Sequence, residues 1–181
     1  MLLEKMNELN VIDIIEGTTV DGPGLRTSIY FAGCEHHCPG CHNPQSWNPV
    51  AGRAISIDDL LRVVEYNDFN VTFSGGDPFF QAERVAELAE RISTELGKTI
   101  WCYTGYRWED IAHSERFMPL LRNIDVLVDG RFELELRDTS LRFRGSSNQR
   151  LIDVRQSLLS NAVVLYEEYS VFLLMITAIA D

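Results

Sequence analysis

The sequence predicts an α/β fold in which a parallel sheet with helical crossovers forms a partial, open β/α barrel. Apolar, strand-like segments alternate with amphipathic, helix-like segments along most of the chain, and glycine-containing turns end the strands. This alternation is typical of parallel strands that are joined by helices. A closed eight-fold barrel takes about 250 residues. Since this chain has 181 residues, we expect a barrel that stays open on one side.

The first predicted strand covers residues 27–32 and ends at Gly33, where a cysteine-rich loop begins. A helix is predicted over residues 57–66, because aspartates favour its first turn and apolar residues form one stripe. Residues 71–73 are short and β-prone, and a turn rich in glycine follows them. A second helix is then predicted over about residues 78–96, with a proline near its start and a glycine after its end.

The same alternation continues in the second half of the chain. Residues 98–103 form the next predicted strand, and residues 108–121 are predicted to be largely helical with an interruption by a proline. Another apolar strand is predicted over residues 124–128. Because the carboxyl ends of parallel strands meet at one edge, the turns after these strands are expected to face the cysteine-rich loop.

Three closely spaced cysteines, Cys34, Cys38 and Cys41, are the main functional signal in the chain. Pro39 and Gly40 stand between the last two, so a loop around a metal centre fits better than a helix. Three thiolates are one fewer than a closed tetrahedral site requires. The spacing therefore indicates a metal centre that keeps one coordination position free for chemistry.

Two other interpretations of the cysteines have to be weighed, and the first of them remains open. A structural zinc site would add His37 or His42 to the three thiolates. A disulfide framework is not expected, because the chain has four cysteines in 181 residues and opens without a signal-like segment. We predict that His36 and His37 are exposed loop residues and that Cys102 is a small apolar side chain in a strand.

The composition limits the classes of partner. A net charge of −11 and an isoelectric point of about 4.8 argue against nucleic acid, which requires clustered Lys and Arg. The most apolar segment, residues 171–180, is about half the length that a membrane-spanning helix needs. We therefore expect it to be a buried strand or helix and expect no membrane partner.

A pair of glycines, Gly75 and Gly76, follows the predicted strand at residues 71–73. The pair has two interpretations on its own. Either the glycines make a tight turn before the next helix, or they expose backbone that a small ligand approaches closely. Combined with the cysteine loop, the second interpretation gains weight.

Taken together, these motifs resemble the radical S-adenosylmethionine (SAM) enzymes, and among them the activases of glycyl-radical enzymes. The later segments resemble in particular the activases of anaerobic ribonucleoside-triphosphate reductases, and the likeness runs from about residue 11 to about residue 154. The segments that carry it, besides the cysteine loop, are residues 21–26, 74–78, 101–106, 126–132 and 144–149.

The resemblance implies that Cys34, Cys38 and Cys41 bind three irons of a single [4Fe-4S] cluster. The fourth iron would have no protein ligand and would be chelated by the amino and carboxylate groups of SAM. The fold implied is the partial barrel of the radical SAM type, and the expected cofactors are the cluster and SAM.

The resemblance also implies which residues contact SAM. Gly40 and His42, which flank Cys41, match positions that line the adenosyl pocket of these enzymes. Gly75 and Gly76 match the motif that receives the amino group of the methionine moiety.

The function implied is reductive cleavage of SAM and formation of a radical on a backbone glycine of an anaerobic ribonucleoside-triphosphate reductase. The partners would be that reductase and a one-electron donor such as flavodoxin, in the cytoplasm, with a homodimer possible for the activase. Two alternatives stay open: another small radical SAM enzyme acting on a small molecule, such as a 7-carboxy-7-deazaguanine synthase, and a non-enzymatic zinc module.

Several positions are left without a role. Asp77 is given no catalytic task of its own, and Arg26 is equally compatible with a ligand contact and a surface turn. Asp129 and Arg131 could contact SAM or a cation, or could form a structural ion pair. The 181 residues are predicted to form one domain, with a C-terminal extension from about residue 155 that closes a sheet edge or covers a dimer interface.

Overall fold

A mixed seven-stranded sheet is the centre of the protein in a computed structural model that describes residues 7–167. The strands are β1 (Glu8–Thr18), β2 (Arg26–Phe31), β3 (Arg53–Ser56), β4 (Asn70–Gly75), β5 (Ile100–Tyr103), β6 (Val126–Asp129) and β7 (Arg150–Asp153). The helices are α1 (Ile57–Asn67), α2 (Ala82–Leu96), α3 (Trp108–Ile111), α4 (Met118–Leu121) and α5 (Val154–Ser160). The order of strands across the sheet is β3-β1-β2-β4-β5-β6-β7.

The four central strands, β2, β4, β5 and β6, run parallel to one another, as the sequence predicts. The outer strands are antiparallel to their neighbours: β1 pairs with β2 and β3, and β7 pairs with β6. The α/β class is therefore confirmed. The predicted parallel strands form the centre of the sheet, and the edge strands β1, β3 and β7, which the sequence did not predict, extend it with antiparallel pairs.

The helices between the central strands begin and end where local chemistry dictates. Ser56 caps α1 by accepting a hydrogen bond from the backbone N–H of Asp59, and Gly97 ends α2 in the left-handed conformation. The helix predicted over residues 108–121 is instead two short helices, α3 and α4, separated by turns. Pro119 lies in the first turn of α4, where a missing N–H is tolerated, so it helps to begin a helix and does not interrupt one.

The two faces of the sheet have different environments. All five helices contribute buried side chains to one core that covers one face, for example Leu60, Leu88 and Leu120. On the opposite face, Trp101 in β5 belongs to a much smaller cluster with Val128 in β6. Because side chains alternate along each strand, residues next to those of the core, such as Trp101 beside Cys102, point to this second face.

Residues 164–166 lie along the outer edge of β7. The backbone N–H of Asp153 donates to the carbonyl of Val164 at 2.9 Å, and that of Tyr166 donates to the carbonyl of Leu151 at 2.8 Å. Of the two uses weighed for this segment, the described residues show the closing of a sheet edge. The apolar segment at residues 171–180 lies outside the described residues. Among residues 7–167, the structure has no helix with the length and hydrophobicity needed to span a bilayer.

Candidate functional site

A cavity of about 520 Å³ opens at the carboxyl ends of the parallel strands. Its walls are the loop after β2 and the turns after β4, β5 and β6, which is the usual place for a ligand site in this kind of sheet. Most of the site residues expected from the sequence line it, namely Cys34, Cys38, Cys41, His42, Gly75 and Gly76. Gly40 is not among the lining residues. It is exposed and has a φ of 73°, and Leu134 packs beside it.

The three cysteines of the loop are half-buried and reach the cavity without pairing into disulfides. Burial raises the pKa of the Cys34 and Cys38 thiols. Backbone N–H groups of the loop oppose this shift at Cys34, and the backbone of Phe132 together with the charge of Arg131 opposes it at Cys38. The site therefore already supplies donors that would stabilise thiolates.

The cysteines are not arranged around one point. Among the described residues, no three His, Cys, Asp or Glu side chains converge closely enough to bind one metal ion. A four-iron cluster places each thiolate on a different iron, so its ligands do not need to converge in this way. The donor set is compatible with such a cluster.

Gly75 and Gly76 allow the protein's own backbone segments to approach one another. A Cβ at Gly75, where φ is 95°, would lie 2.6 Å from the backbone N of Phe31, and a Cβ at Gly76 would lie 2.4 Å from the carbonyl oxygen of Gly33. The N–H of Gly76 donates to the carbonyl of Phe31 at 2.8 Å, and that of Asp77 donates to Gly33 at 2.8 Å. The glycine pair thus joins the turn after β4 to the start of the cysteine loop, and it also lines the cavity.

His36 is buried, so its prediction as an exposed loop residue is wrong. Its Nε2 atom lies 2.7 Å from a carboxylate oxygen of Asp77, which is itself 2% exposed. The ring also packs edge-to-face against Tyr106. His37 is exposed, as predicted. Sequence reasoning missed His36 because its partner lies 41 positions away.

The segment that joins β6 to β7 forms the remaining wall, and sequence reasoning assigned no role to the residues of this segment that line the cavity. Phe132, Phe143, Arg144 and Gln149 line the cavity, and Phe132 lies beside the ring of His42 with their centroids 5.7 Å apart. The amide oxygen of Gln149 accepts hydrogen bonds from the backbone N–H groups of Gly145 and Ser146, and its amide nitrogen donates to the carbonyl of Gly130, directly after β6. The motif over residues 144–149 was the available signal for this wall.

Asp129 and Arg131 lie outside the lining of the cavity. Asp129 is 1% exposed and accepts from both Nε and Nη2 of Arg150, at 3.0 and 2.5 Å, and from the backbone N–H of Trp108 at 2.8 Å. Arg150 also binds both carboxylate oxygens of Glu109. Of the roles weighed for Asp129, the structural ion pair is therefore the one present.

Arg26 lies at the start of β2, where it is 1% exposed and away from the cavity. Its guanidinium donates to the hydroxyl of Thr72 and to the carbonyl of Val71, and it stacks on the ring of Trp101 at 5.6 Å. Burial lowers its pKa to about 10, which leaves it charged at neutral pH. It is neither a ligand contact nor part of a surface turn. Cys102 is buried in β5, as predicted, and burial raises the pKa of its thiol.

Comparison with known proteins places this site in a family. Residues 20–152 match a family described as a 4Fe-4S single cluster domain. The anaerobic ribonucleoside-triphosphate reductase-activating protein of Escherichia coli K12 is 37% identical over 140 residues, which cover 72% of this chain and 89% of that protein. The proteins of the same name from Haemophilus influenzae and phage T4 are 35% and 34% identical, and the matches cover 96% and 86% of their lengths.

A solved structure, that of QueE from Escherichia coli, is 17% identical with a TM-score of 0.43, covering 57% of this chain and 56% of that one.

The match defines an iron–sulfur protein with a single-cluster domain. More narrowly, the chain belongs to the family of anaerobic ribonucleoside-triphosphate reductase-activating proteins. It is an enzyme, and the cofactors expected from the sequence, a [4Fe-4S] cluster and SAM, are confirmed by this assignment. The alternatives of a different small radical SAM enzyme and of a zinc module are not favoured.

Proposed function

We propose that this protein activates an anaerobic ribonucleoside-triphosphate reductase by generating a radical on a backbone glycine of that enzyme. The observation that carries the proposal is the cavity at the carboxyl ends of the parallel strands, where the cysteine loop and the glycine pair meet. Proteins that are about 37% identical over most of their length carry the corresponding name. No general base is needed for abstraction of a hydrogen atom, so the protein's task is to bind and orient.

We propose Cys34, Cys38 and Cys41 as the three cluster ligands. When bound, the reduced cluster and SAM supply a one-electron cleavage that yields methionine and a 5′-deoxyadenosyl radical. The three thiols fit this role because they face one cavity from one loop. Backbone N–H donors at Cys34 and Cys38, and the charge of Arg131 at Cys38, oppose the effect of burial on these two thiols.

SAM would occupy the remainder of the cavity, whose volume is within the usual range of about 300–1,000 Å³ for small-molecule sites. The amino group of the methionine moiety would donate its N–H groups to carbonyl oxygens of the turn after β4, whose own N–H groups at Gly76 and Asp77 already donate to backbone carbonyls. The Nε of Arg144 is buried without a partner among the described residues, and it would suit an anionic or hydroxyl group of the ligand. We propose that His42 contacts the adenosyl group from the wall of the cavity, and that Gly40, which lies outside that wall, acts from the loop beside it.

The finer features of the proposal concern the whole molecule. The helices cover one face of the sheet, and Tyr103 on the opposite face lines the cavity at the carboxyl ends of the strands, which supports an open, partial barrel whose open side admits a polypeptide. We propose the reductase as the principal partner, with a flavodoxin-type electron donor and a homodimeric activase as further expectations. We also propose that the chain forms a single domain and that the protein works in the cytoplasm.

The proposal is tested under strict anaerobiosis. The reconstituted protein is reduced with dithionite and mixed with SAM and an anaerobic ribonucleotide reductase, and the electron paramagnetic resonance (EPR) spectrum is recorded together with 5′-deoxyadenosine. We expect a glycyl doublet and an equivalent amount of 5′-deoxyadenosine. SAM cleavage without the doublet would contradict the choice of partner, and cluster-loaded protein that gives neither signal would contradict the radical mechanism.

A further inference from the structure

One buried side chain in the cysteine loop has no role in the function proposed above. Three residues separate the first two cysteines, and two of them, Glu35 and His37, are exposed. The side chain of the third, His36, is only 4% exposed. A buried imidazole in a short surface loop needs a partner, and its Nε2 atom finds one in Asp77 at 2.7 Å.

The carboxylate of Asp77 connects the cysteine loop to two neighbouring turns. Besides His36, it accepts hydrogen bonds from the hydroxyl of Thr104 at 2.9 Å and from the backbone N–H groups of Gly105 at 3.0 Å and Phe79 at 2.9 Å. Four donors saturate the acceptor capacity of one carboxylate. Because an ionised carboxylate only accepts, we assign the proton of the imidazole to Nε2.

The surroundings of the ring leave it a single position. A Cβ on Gly105 would lie 2.3 Å from Cδ2 of His36, so only glycine allows the ring to lie there. On another side, the ring of Tyr106 packs edge-to-face at 4.6 Å between centroids. The hydroxyl of Tyr106 donates to the carboxylate of Glu35, which attaches the same loop a second time.

We propose that His36 is a positioning residue for the cluster. Through Asp77, it holds the loop that carries Cys34 and Cys38 against the turns after β4 and β5, and thereby fixes the cluster ligands relative to the glycine pair. The hydrogen bond between His36 and Asp77 joins positions 41 residues apart and connects the cysteine loop to the turn that carries the glycine pair. This inference rests on the proposed function of the cysteines.

The two amide analogues of histidine provide a sharp test. In His36→Gln, the side-chain amide nitrogen can occupy roughly the position of Nε2 and donate to Asp77. In His36→Asn, the amide nitrogen corresponds to Nδ1, and the side chain is too short for it to reach the carboxylate of Asp77. His113→Asn is the matched control, because His113 is exposed and remote from the cavity. Gly105→Ala displaces the ring without changing any hydrogen-bonding group.

Three measurements are made on reconstituted protein without any reductase: the EPR spectrum of the reduced cluster, the change in that spectrum on addition of SAM, and the steady-state kinetics of 5′-deoxyadenosine formation, which give kcat and KM. We expect His36→Gln and His113→Asn to keep the wild-type spectrum. We expect His36→Asn and Gly105→Ala to share an altered spectrum and to lose about 10²-fold in kcat/KM, as for a misplacement of about 1 Å.

Equal behaviour of the Gln and Asn variants, whether both intact or both defective, would overturn the inference. A wild-type spectrum in Gly105→Ala would do the same. The spectrum of the reduced cluster requires neither SAM cleavage nor a reductase. The wild-type protein could therefore fail to form a glycyl radical while the role of His36 is still decided.

Discussion

Replacing Gly76 by Ala tests whether contact between the glycine turn and the cysteine loop controls the chemistry. The added Cβ would lie 2.4 Å from the carbonyl oxygen of Gly33 and 3.0 Å from that of Ser46. The carbonyl of Gly33 must move by about 1 Å to restore an ordinary van der Waals distance to the new Cβ. Because Gly33 directly precedes Cys34, this movement would displace the first cluster ligand. A displacement of about 1 Å at a reacting centre costs about 10²-fold in rate, which is the loss we expect in kcat/KM for SAM cleavage.

The assay is formation of 5′-deoxyadenosine by reduced, cluster-loaded protein in the absence of reductase, with iron and sulfide content measured on the same samples. Gly97→Ala is the control, because a Cβ there meets nothing within 4 Å although φ is 64°. It should destabilise the fold by about 1 kcal/mol without slowing turnover. Wild-type turnover and full iron content in Gly76→Ala would refute the reasoning.

Three further predictions concern other parts of the molecule. Cys34→Ala should bind less iron and lose SAM cleavage, whereas Cys102→Ala should keep both, and full activity of the former would contradict its role as a ligand. Arg150→Met should lower the free energy of unfolding by about 3 kcal/mol in urea titrations, because it leaves the carboxylate of Asp129 buried and unpaired; a loss below about 1 kcal/mol would contradict this. Arg150 also lowers the pKa of Glu109 from 4.5 to about 2, so its contribution to stability is present above pH 4.5 and is lost as the pH falls towards 2. The thermal midpoint of Arg150→Met should therefore fall slightly less than that of the wild type when the pH is lowered from 4.5 towards 2. The difference should be small because Glu109 is largely exposed.

The central strands were predictable because each is an apolar run that ends at a glycine or at a turn. The edge strands were not. In β1 the pairing register shifts between Val11 and Asp13 and again between Ile15 and Thr18, so the alternation of two residues that marks a strand is interrupted. In β7 only four residues pair, and a charged residue stands at each end. Their strand conformation depends on neighbours that local sequence does not reveal.

The location of the site was predictable for a similar reason. Topology brings the carboxyl ends of parallel strands together, so Cys34 and Gly75 had to share an edge once both were placed after strands. The buried polar contacts were not predictable, because each joins distant positions. Arg26 resembles an exposed turn residue until Thr72 and Trp101 cover it, and His36 resembles a loop residue until Asp77 binds it.

The separation of the helix-covered core from the cavity has a consequence for maturation. Cys34, Cys38 and Cys41 do not belong to the buried core. The cysteine loop is attached to the rest of the chain by backbone hydrogen bonds, such as that from the N–H of Gly33 to the carbonyl of Ser46. Folding therefore draws its driving force from surfaces that the cofactor does not touch, unlike a zinc finger, which is unfolded without its metal. The polypeptide is expected to fold first and to receive its cluster afterwards. We therefore expect that a cluster damaged by oxygen is replaceable in a chain that has kept its shape, so that reconstitution restores activity without new synthesis.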